Sequence, residues 1–307
     1  LENRQLITTN IEFPFDNNKS RGNFIMNIKK IVIPLLCVAV LTGCSAKAAN
    51  DESTTDNTTD STQSTTNVAQ TTVDITGVNT KNYSNEKVVW GPGRAENHAR
   101  PADPVSLQKL YESSGAHFIM SDEKFICLTF DEGYENGYTP AILDTLKEKQ
   151  VKAIFFVTYD FVKDNPKLIE RMIDEGHIIG NHTYRHYTLD EVSDEEATEE
   201  IVFLDNYMKE NFKYRMTLFR FPKGEFSEKT LALADSLGYQ SIFWSFAYAD
   251  WDTQNPGNKD EAYKTIIDNT HNGEIMLLHA VSATNAEILG DVIDEVRNQG
   301  YEFTVEI

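Results

Sequence analysis

The chain has 307 residues, 40% of them hydrophobic, enough for one large domain with extensions or for two small ones. Its formal net charge is -20 and its pI is about 4.7. A surface this acidic argues against nucleic acid as a partner, because phosphate backbones are bound by Lys and Arg, and against electrostatic docking to anionic lipid. The charge serves solubility.

The first 45 residues are set apart from the fold. Arg21-Gly22 can be encoded by a purine run of the ribosome-binding type a few codons before Met26, so residues 1–25 are expected to be an untranslated extension. A secretory signal is expected over residues 26–44, with Lys29 and Lys30 as its positive start and Ile31 to Leu41 as its apolar run. That run falls short of the ~20 apolar residues a spanning helix needs. It ends in Leu41-Thr42-Gly43-Cys44, which resembles a bacterial lipobox, so Cys44 is the expected lipidation site. The alternative is an ordinary signal peptide that contains a Cys. The lipobox reading places the protein outside the cell, lipid-anchored to the outer face of the cytoplasmic membrane and facing the wall. Beyond Cys37 and Cys44, Cys127 stands alone, so no disulfide framework is expected, and it reads as a small buried hydrophobe.

Residues 45–87 are rich in Ser, Thr, Asn and Asp, Asp51 to Thr66 most of all, and cannot bury enough surface to offset their chain entropy. They read as a disordered tether with an r.m.s. span of roughly 35 Å. From Val88 to the end, residues 88–307, the pattern is that of one catalytic domain. Phe125 to Phe130 reads as a strand, and Thr139-Pro140 opens a helix with Thr139 as its cap. A strand over Ala153 to Thr158, a helix over Pro166 to Glu175 and a short strand over His177 to Gly180 follow. Asp190 to Lys209 reads as a long acidic helix. Strands are expected at Leu218 to Phe221, Ser241 to Trp244 and Glu274 to Leu278, and near Phe303. Helices are expected near Ser227 to Leu237, Glu261 to Asn269 and Ala283 to Gln299. This alternation predicts an α/β fold with a parallel sheet, and about seven units suggest a barrel with its chemistry at the C-terminal strand ends.

Polar clusters fall at those ends. Asp131 and Glu132 close a strand before Gly133 and Tyr134; alone they could be an acidic turn. His182 and His186, four apart, would share one face of a helical turn and reach one metal, unless they are surface histidines by chance. Arg220, ahead of Pro222-Lys223-Gly224, could hold a carboxylate or form a plain salt bridge. His279 tips an apolar strand, where a lone His is more often a core residue than a catalyst.

In this order and spacing the clusters resemble the polysaccharide deacetylase (NodB-like) family of carbohydrate esterases over roughly residues 120–305. Gly133 to Thr139, Asp174 to His182, Phe226 to Thr230, Phe243 to Ser245, Leu278 to Ala286 and Trp90-Gly91 look like the branch that deacetylates N-acetylmuramic acid and makes muramic δ-lactam in spore cortex peptidoglycan. The resemblance implies a distorted (β/α)₇ barrel and a divalent metal, usually Zn²⁺. It implies metal ligation by His182 and His186, with Glu132 where relatives carry an Asp ligand. It gives Asp131 as general base, oriented by Arg220, and His279 as the acid that protonates the leaving amine. Tyr134, Pro222, Lys223, Trp251 and Leu277 would contact substrate, with Lys223 at the oxyanion and Trp251 and Leu277 at the acetyl pocket. Ala247 stands where many relatives carry an Asp that tunes the acid, which leaves Asp250 as a candidate supporting residue. The implied partner is a peptidoglycan glycan strand whose stem peptides an amidase has removed, since lactam closure needs a free lactyl carboxyl. Three other readings remain open: a peptidoglycan N-acetylglucosamine deacetylase, a catalytically weak glycan-binding lipoprotein, and the solute-binding lipoprotein of a transporter.

Overall fold

A computed structural model describes residues 80–94 and 97–307. The expected extension, the expected signal peptide with Cys44 and the expected tether as far as residue 79 lie outside the described residues. No described helix is long and apolar enough to cross a membrane.

The strand β1 (Val88–Val89) is followed by α1 (Ala102–Tyr111), β2 (Ala116–His117) and β3 (Phe125–Glu132). Next come α2 (Thr139–Glu148), β4 (Ile154–Val157), α3 (Tyr159–Asp164), α4 (Pro166–Asp174), β5 (Ile178–Asn181), α5 (Asp194–Phe212) and β6 (Leu218–Phe219). The chain continues through β7 (Glu225–Phe226), α6 (Glu228–Ser236), β8 (Gln240–Ile242), β9 (Phe246–Ala247), α7 (Lys259–Asn269), β10 (Glu274–His279), α8 (Ala283–Asn298) and β11 (Glu302–Phe303). One sheet runs in the order β2-β8-β6-β5-β4-β3-β10-β9, with β11 also pairing β3, and every neighbour in it is parallel. The α/β expectation holds: a curled parallel sheet with helices outside. Its hydrogen-bonded path ends at β2 and β9 rather than closing, which is the distortion of the barrel.

The centre of the sheet follows from composition. From Ile126 to Glu132, β3 is buried without a break, as expected of a parallel strand covered on both faces. Phe130 stacks on Phe155 of β4 with ring centroids 5.2 Å apart, and Phe118 stacks on Phe243 at 4.2 Å. Cys127 is fully buried there, and burial pushes its thiol up to about 12, so it is inert as a nucleophile.

Several expectations need correction. Thr139 is the first helical residue of α2, not its cap; its hydroxyl is turned to the carboxylates of Glu135 and Glu132 instead. The long acidic helix starts at Asp194, because Ser193 and Glu196 form a reciprocal capping box; residues 189–191 make a separate single turn. The end of the expected tether, residues 80–87, is part of the folded unit. The amide of Lys229 donates to Ser84 O at 3.0 Å, Asn85 Nδ2 donates to Asp190 O at 3.1 Å, and Lys87 pairs with Glu225 at 3.2 Å. These contacts are polar, so a search for apolar runs does not find them. The strand β1, two residues long, pairs antiparallel with β7 as a two-stranded ribbon outside the main sheet.

Candidate active site

Asp131, the residues after β5, Arg220 and His279 all meet at the C-terminal rim of the sheet. Side chains alternate along a strand, so Thr129 and Asp131 of β3 point to one face and Glu132 to the other. Arg220 follows β6 and is completely buried. Its Nη1 donates to Asp131 Oδ1 at 2.9 Å and to Thr129 Oγ1 at 2.8 Å. Its Nε donates to Ile242 O at 2.9 Å and its Nη2 to Phe243 O at 3.0 Å. The guanidinium carbon lies 4.1 Å from the centroid of the Phe156 ring. That ring needs Gly180 as its register partner on β5, where a Cβ would come within 2.4 Å of the ring carbons. Burial alone would raise the pKa of Asp131. The charge of Arg220, then those of His182 and His279, outweigh it and hold the carboxylate below its ordinary value.

The two histidines converge, though not through a helical turn. Thr183 and His186 both take positive φ, 71° and 61°, in the loop after β5, and that loop brings the rings together. His182 Nε2 lies 3.2 Å from His186 Nε2 and 3.6 Å from Asp131 Oδ2. His182 Nδ1 is 2.9 Å from the carbonyl of Arg220, so Nδ1 carries the proton and Nε2 presents a lone pair. Burial lowers the pKa of both rings, that of His186 to about 4 with the neighbouring His182 adding to the effect. Two largely neutral imidazoles whose Nε2 atoms converge to 3.2 Å, one of them presenting a lone pair, are a donor set that fits a metal.

Glu132 is not brought into that pair. Its carboxyl is fully buried, with Oε1 3.5 Å from the Thr139 hydroxyl and Oε2 without a partner among the described residues. Burial, with Glu135 and Asp131 nearby, raises its pKa well above the ordinary value, which keeps it neutral. Strand alternation is the reason: a residue next to Asp131 faces away from it. Among the described residues no set of three His, Cys, Asp or Glu side chains converges as a metal cage.

On the other side of Asp131 stands His279, its register partner on the adjacent strand β10. His279 Nδ1 bonds Asp250 Oδ1 at 2.7 Å, and the His279 amide donates to Asp250 Oδ2 at 2.7 Å. Burial opposes protonation of His279, but the hydrogen bond and charge of Asp250, with Asp131 behind, raise its pKa above the ordinary value. Asp250 is thus the carboxylate that bonds the His279 ring, while Ala247 lies in β9, paired with Leu277.

The remaining expected contacts line the rim. Trp251 is 57% exposed with its ring centroid 5.7 Å from that of His279, and Leu277 is buried two residues before His279 on the same strand face. Tyr134 is exposed beyond the end of β3. Pro222 is buried, and Lys223 sits on a turn at φ 59°. Gly224 makes that turn possible: its φ is 70°, and a Cβ would meet the Trp244 ring at 2.7 Å. The ribbon braces the turn from behind, through the Trp90 amide to Gly224 O and Trp90 Nε1 to Trp244 O, both 3.0 Å. Sequence reasoning missed Asn285, which donates to Asp250 Oδ2 at 2.5 Å; its only signal was its place in the segment after His279.

The parallel sheet, the buried arginine–carboxylate pair and the two histidines define a polysaccharide deacetylase, and the chain belongs to that family; its family model, Polysaccharide deacetylase, matches residues 120–242. The chain is 45% identical over 226 residues to the peptidoglycan-N-acetylmuramic acid deacetylase PdaA of Bacillus subtilis, covering 71% of this chain and 84% of that protein. The solved structure of Bacillus subtilis PdaA, described as a family 4 carbohydrate esterase, superposes with a TM-score of 0.69 at 43% identity, covering 72% of this chain and 95% of that one. A peptidoglycan-N-acetylglucosamine deacetylase of Bacillus cereus is 33% identical over 206 residues, covering 64% of this chain and 94% of that protein.

Proposed function

We propose that this protein hydrolyses the N-acetyl group of N-acetylmuramic acid in peptidoglycan, a step leading to muramic δ-lactam in spore cortex. One observation carries the chemistry: Asp131 and His279 are register partners on adjacent strands, the carboxylate held below its ordinary pKa by Arg220 and the imidazole raised above its own by Asp250. The identity to PdaA over most of both chains supports the choice of sugar.

Amide hydrolysis needs a base for water, stabilisation of the oxyanion and an acid for the leaving amine. His182 and His186 would hold a divalent cation, Zn²⁺ by its preference for neutral imidazole, with solvent completing its shell. Such a cation acidifies water and polarises a carbonyl. Asp131 accepts the proton from the attacking water, and Arg220 keeps its carboxylate ionised and aimed. The Lys223 turn presents backbone to the oxyanion. His279, fixed in one tautomer by Asp250, gives its Nε2 proton to the amine. Trp251 and Leu277 enclose the acetyl methyl, while Tyr134 and Pro222 border the sugar.

Freeing the C2 amine lets it attack the lactyl carboxyl on C3 and close a six-membered ring. That carboxyl must be free, so an amidase that strips stem peptides acts first. A lipid on Cys44 and the Ser/Thr-rich segment behind it would tether the enzyme to the outer face of the cytoplasmic membrane, within reach of the wall.

The test is acetate release, with and without chelator, from peptidoglycan stripped of its muramic stem peptides and from intact peptidoglycan. Chelator-sensitive release from the stripped glycan alone, falling by ~10²–10⁴-fold in Asp131→Asn, is expected. Equal release from both would assign N-acetylglucosamine as the substrate, in line with the Bacillus cereus relative. No release from either would leave a glycan-binding protein.

A further inference from the structure

Asp250 is buried and carries no Arg or Lys partner among the described residues, yet it is held by three donors. Two come from His279, its ring and its amide. The third is Asn285 Nδ2 at 2.5 Å, from the first turn of α8. The same Nδ2 lies 3.2 Å from the carbonyl of His279, so one amide group grips both the carboxylate and the backbone of the histidine it serves. Asn285 is itself fixed twice. Its backbone N–H donates to the Ser282 hydroxyl that caps α8, at 3.2 Å, and its Oδ1 accepts from the Tyr248 hydroxyl. The Asp250 carboxylate and the His279 carbonyl only accept, so Nδ2 must face them, and Oδ1 is left to accept from the Tyr248 hydroxyl.

We propose that Asn285, locked in orientation by Tyr248, is a positioning residue that fixes the Asp250 carboxylate and through it the tautomer and aim of the His279 ring. The carboxylate bonds the His279 ring through Oδ1, and through Oδ2 it accepts from both the His279 amide and Asn285, so loss of the Asn285 donor leaves one donor on Oδ2 in place of two and loosens the carboxylate about its Cβ–Cγ bond. Nδ1 of His279 then faces a less firmly held acceptor. The proton distributes more freely over both ring nitrogens, and the ring is held less firmly in place. The effect on turnover rests on the deacetylase reading above; the effect on the His279 ring does not.

The experiment compares wild type, Asn285→Ala and Tyr248→Phe by two readouts. The first is kcat and KM for acetate release from amidase-stripped peptidoglycan with the metal-replete protein. The second is the proton NMR signal of the His279 Nδ1–H, assigned by its loss in His279→Gln. Asn285→Ala should lower kcat by ~10- to 100-fold, the scale of a misplaced reacting group, with KM within about twofold because Asn285 does not touch the sugar. Its Nδ1–H signal should broaden or move upfield. Tyr248→Phe should shift both readouts in the same direction by less, and it carries the test if Asn285→Ala does not fold. Retention of kcat and of the Nδ1–H signal in the folded variants, with only the unfolding midpoint lowered, would overturn the proposal and leave Asn285 as a helix-cap residue. If wild type releases no acetate, the deacetylase reading fails while the NMR readout still decides the positioning role.

Discussion

The two ends of β10 hold similar side chains in opposite states. At its C-terminal end His279 faces Asp250 at 2.7 Å and keeps 22% of its side chain exposed. At its N-terminal end His271, Ser245 and Glu274 are sealed in the core. There the Ser245 hydroxyl lies 2.8 Å from His271 Nε2, and His271 Nδ1 lies 2.8 Å from the Asn269 carbonyl, while the Glu274 carboxylate is 3.8 Å from that nitrogen. The three residue types of a hydrolytic triad are present, but the histidine spends its donor on a carbonyl and nothing can reach the serine. Burial lowers the pKa of His271 to about 4 and raises that of Glu274 well above the ordinary value, so this end is neutral. The rim end is ionic because each charge there has a partner: Asp131 has Arg220, and His279 has Asp250. Partner geometry and access decide chemistry; residue type does not.

Three experiments press on that contrast. The largest effect is expected from Arg220→Met, which removes four hydrogen bonds and leaves Asp131 buried without its cation. Denaturant unfolding should show a loss of ~3–5 kcal/mol, as for other buried pairs broken on one side. A loss under about 1 kcal/mol would mean that the rim does not depend on this ion pair. A middle-sized effect is expected from Asp250→Asn. His279 is protonated to a higher pH than an ordinary imidazole because Asp250 outweighs burial. Removing that charge lets burial dominate, so the alkaline limb of kcat/KM should move to lower pH, with activity at neutral pH falling up to ~100-fold. An unmoved limb would detach that limb from His279.

The smallest effect is expected from Glu274→Gln at the sealed end. The folded pKa of Glu274 is raised, so its contribution is complete below the ordinary carboxylate range and is lost as pH rises through the folded value. Gln has no proton to lose and keeps the acceptor for the His271 amide, 3.1 Å away in the native protein. Its Tm should exceed that of wild type by ~2–4 °C at pH 8, the shift of about 1 kcal/mol in a domain this size, and the gap should close near pH 4.5. A variant less stable than wild type at pH 8 would show that the carboxyl is ionised in place.

Much of the site was legible because its residues sit at strand ends, where an apolar run stops and polar residues begin. Asp131, His279 and Arg220 stand out in that way. The place of Glu132 was not legible, since two adjacent carboxylates look alike in sequence and only strand alternation sends one inward and the other against Thr139. Asn285 was invisible for a different reason. It acts through a partner 35 positions away, and a single Asn early in a helix reads as a cap.

The sequence by itself determined the α/β class, the order of strands and helices and the clusters that name the family, because hydrophobic periodicity and motif spacing are local properties. Tertiary structure alone decided which of those polar groups are charged. The pairing of β3 with β10 sets Asp131 beside His279, and the β6 end brings Arg220 under Asp131, 89 positions away. It also decided that His182 and His186 converge from a loop rather than a helix. Charge in a buried site depends on distance to a partner and on access to water, and neither is written along the chain.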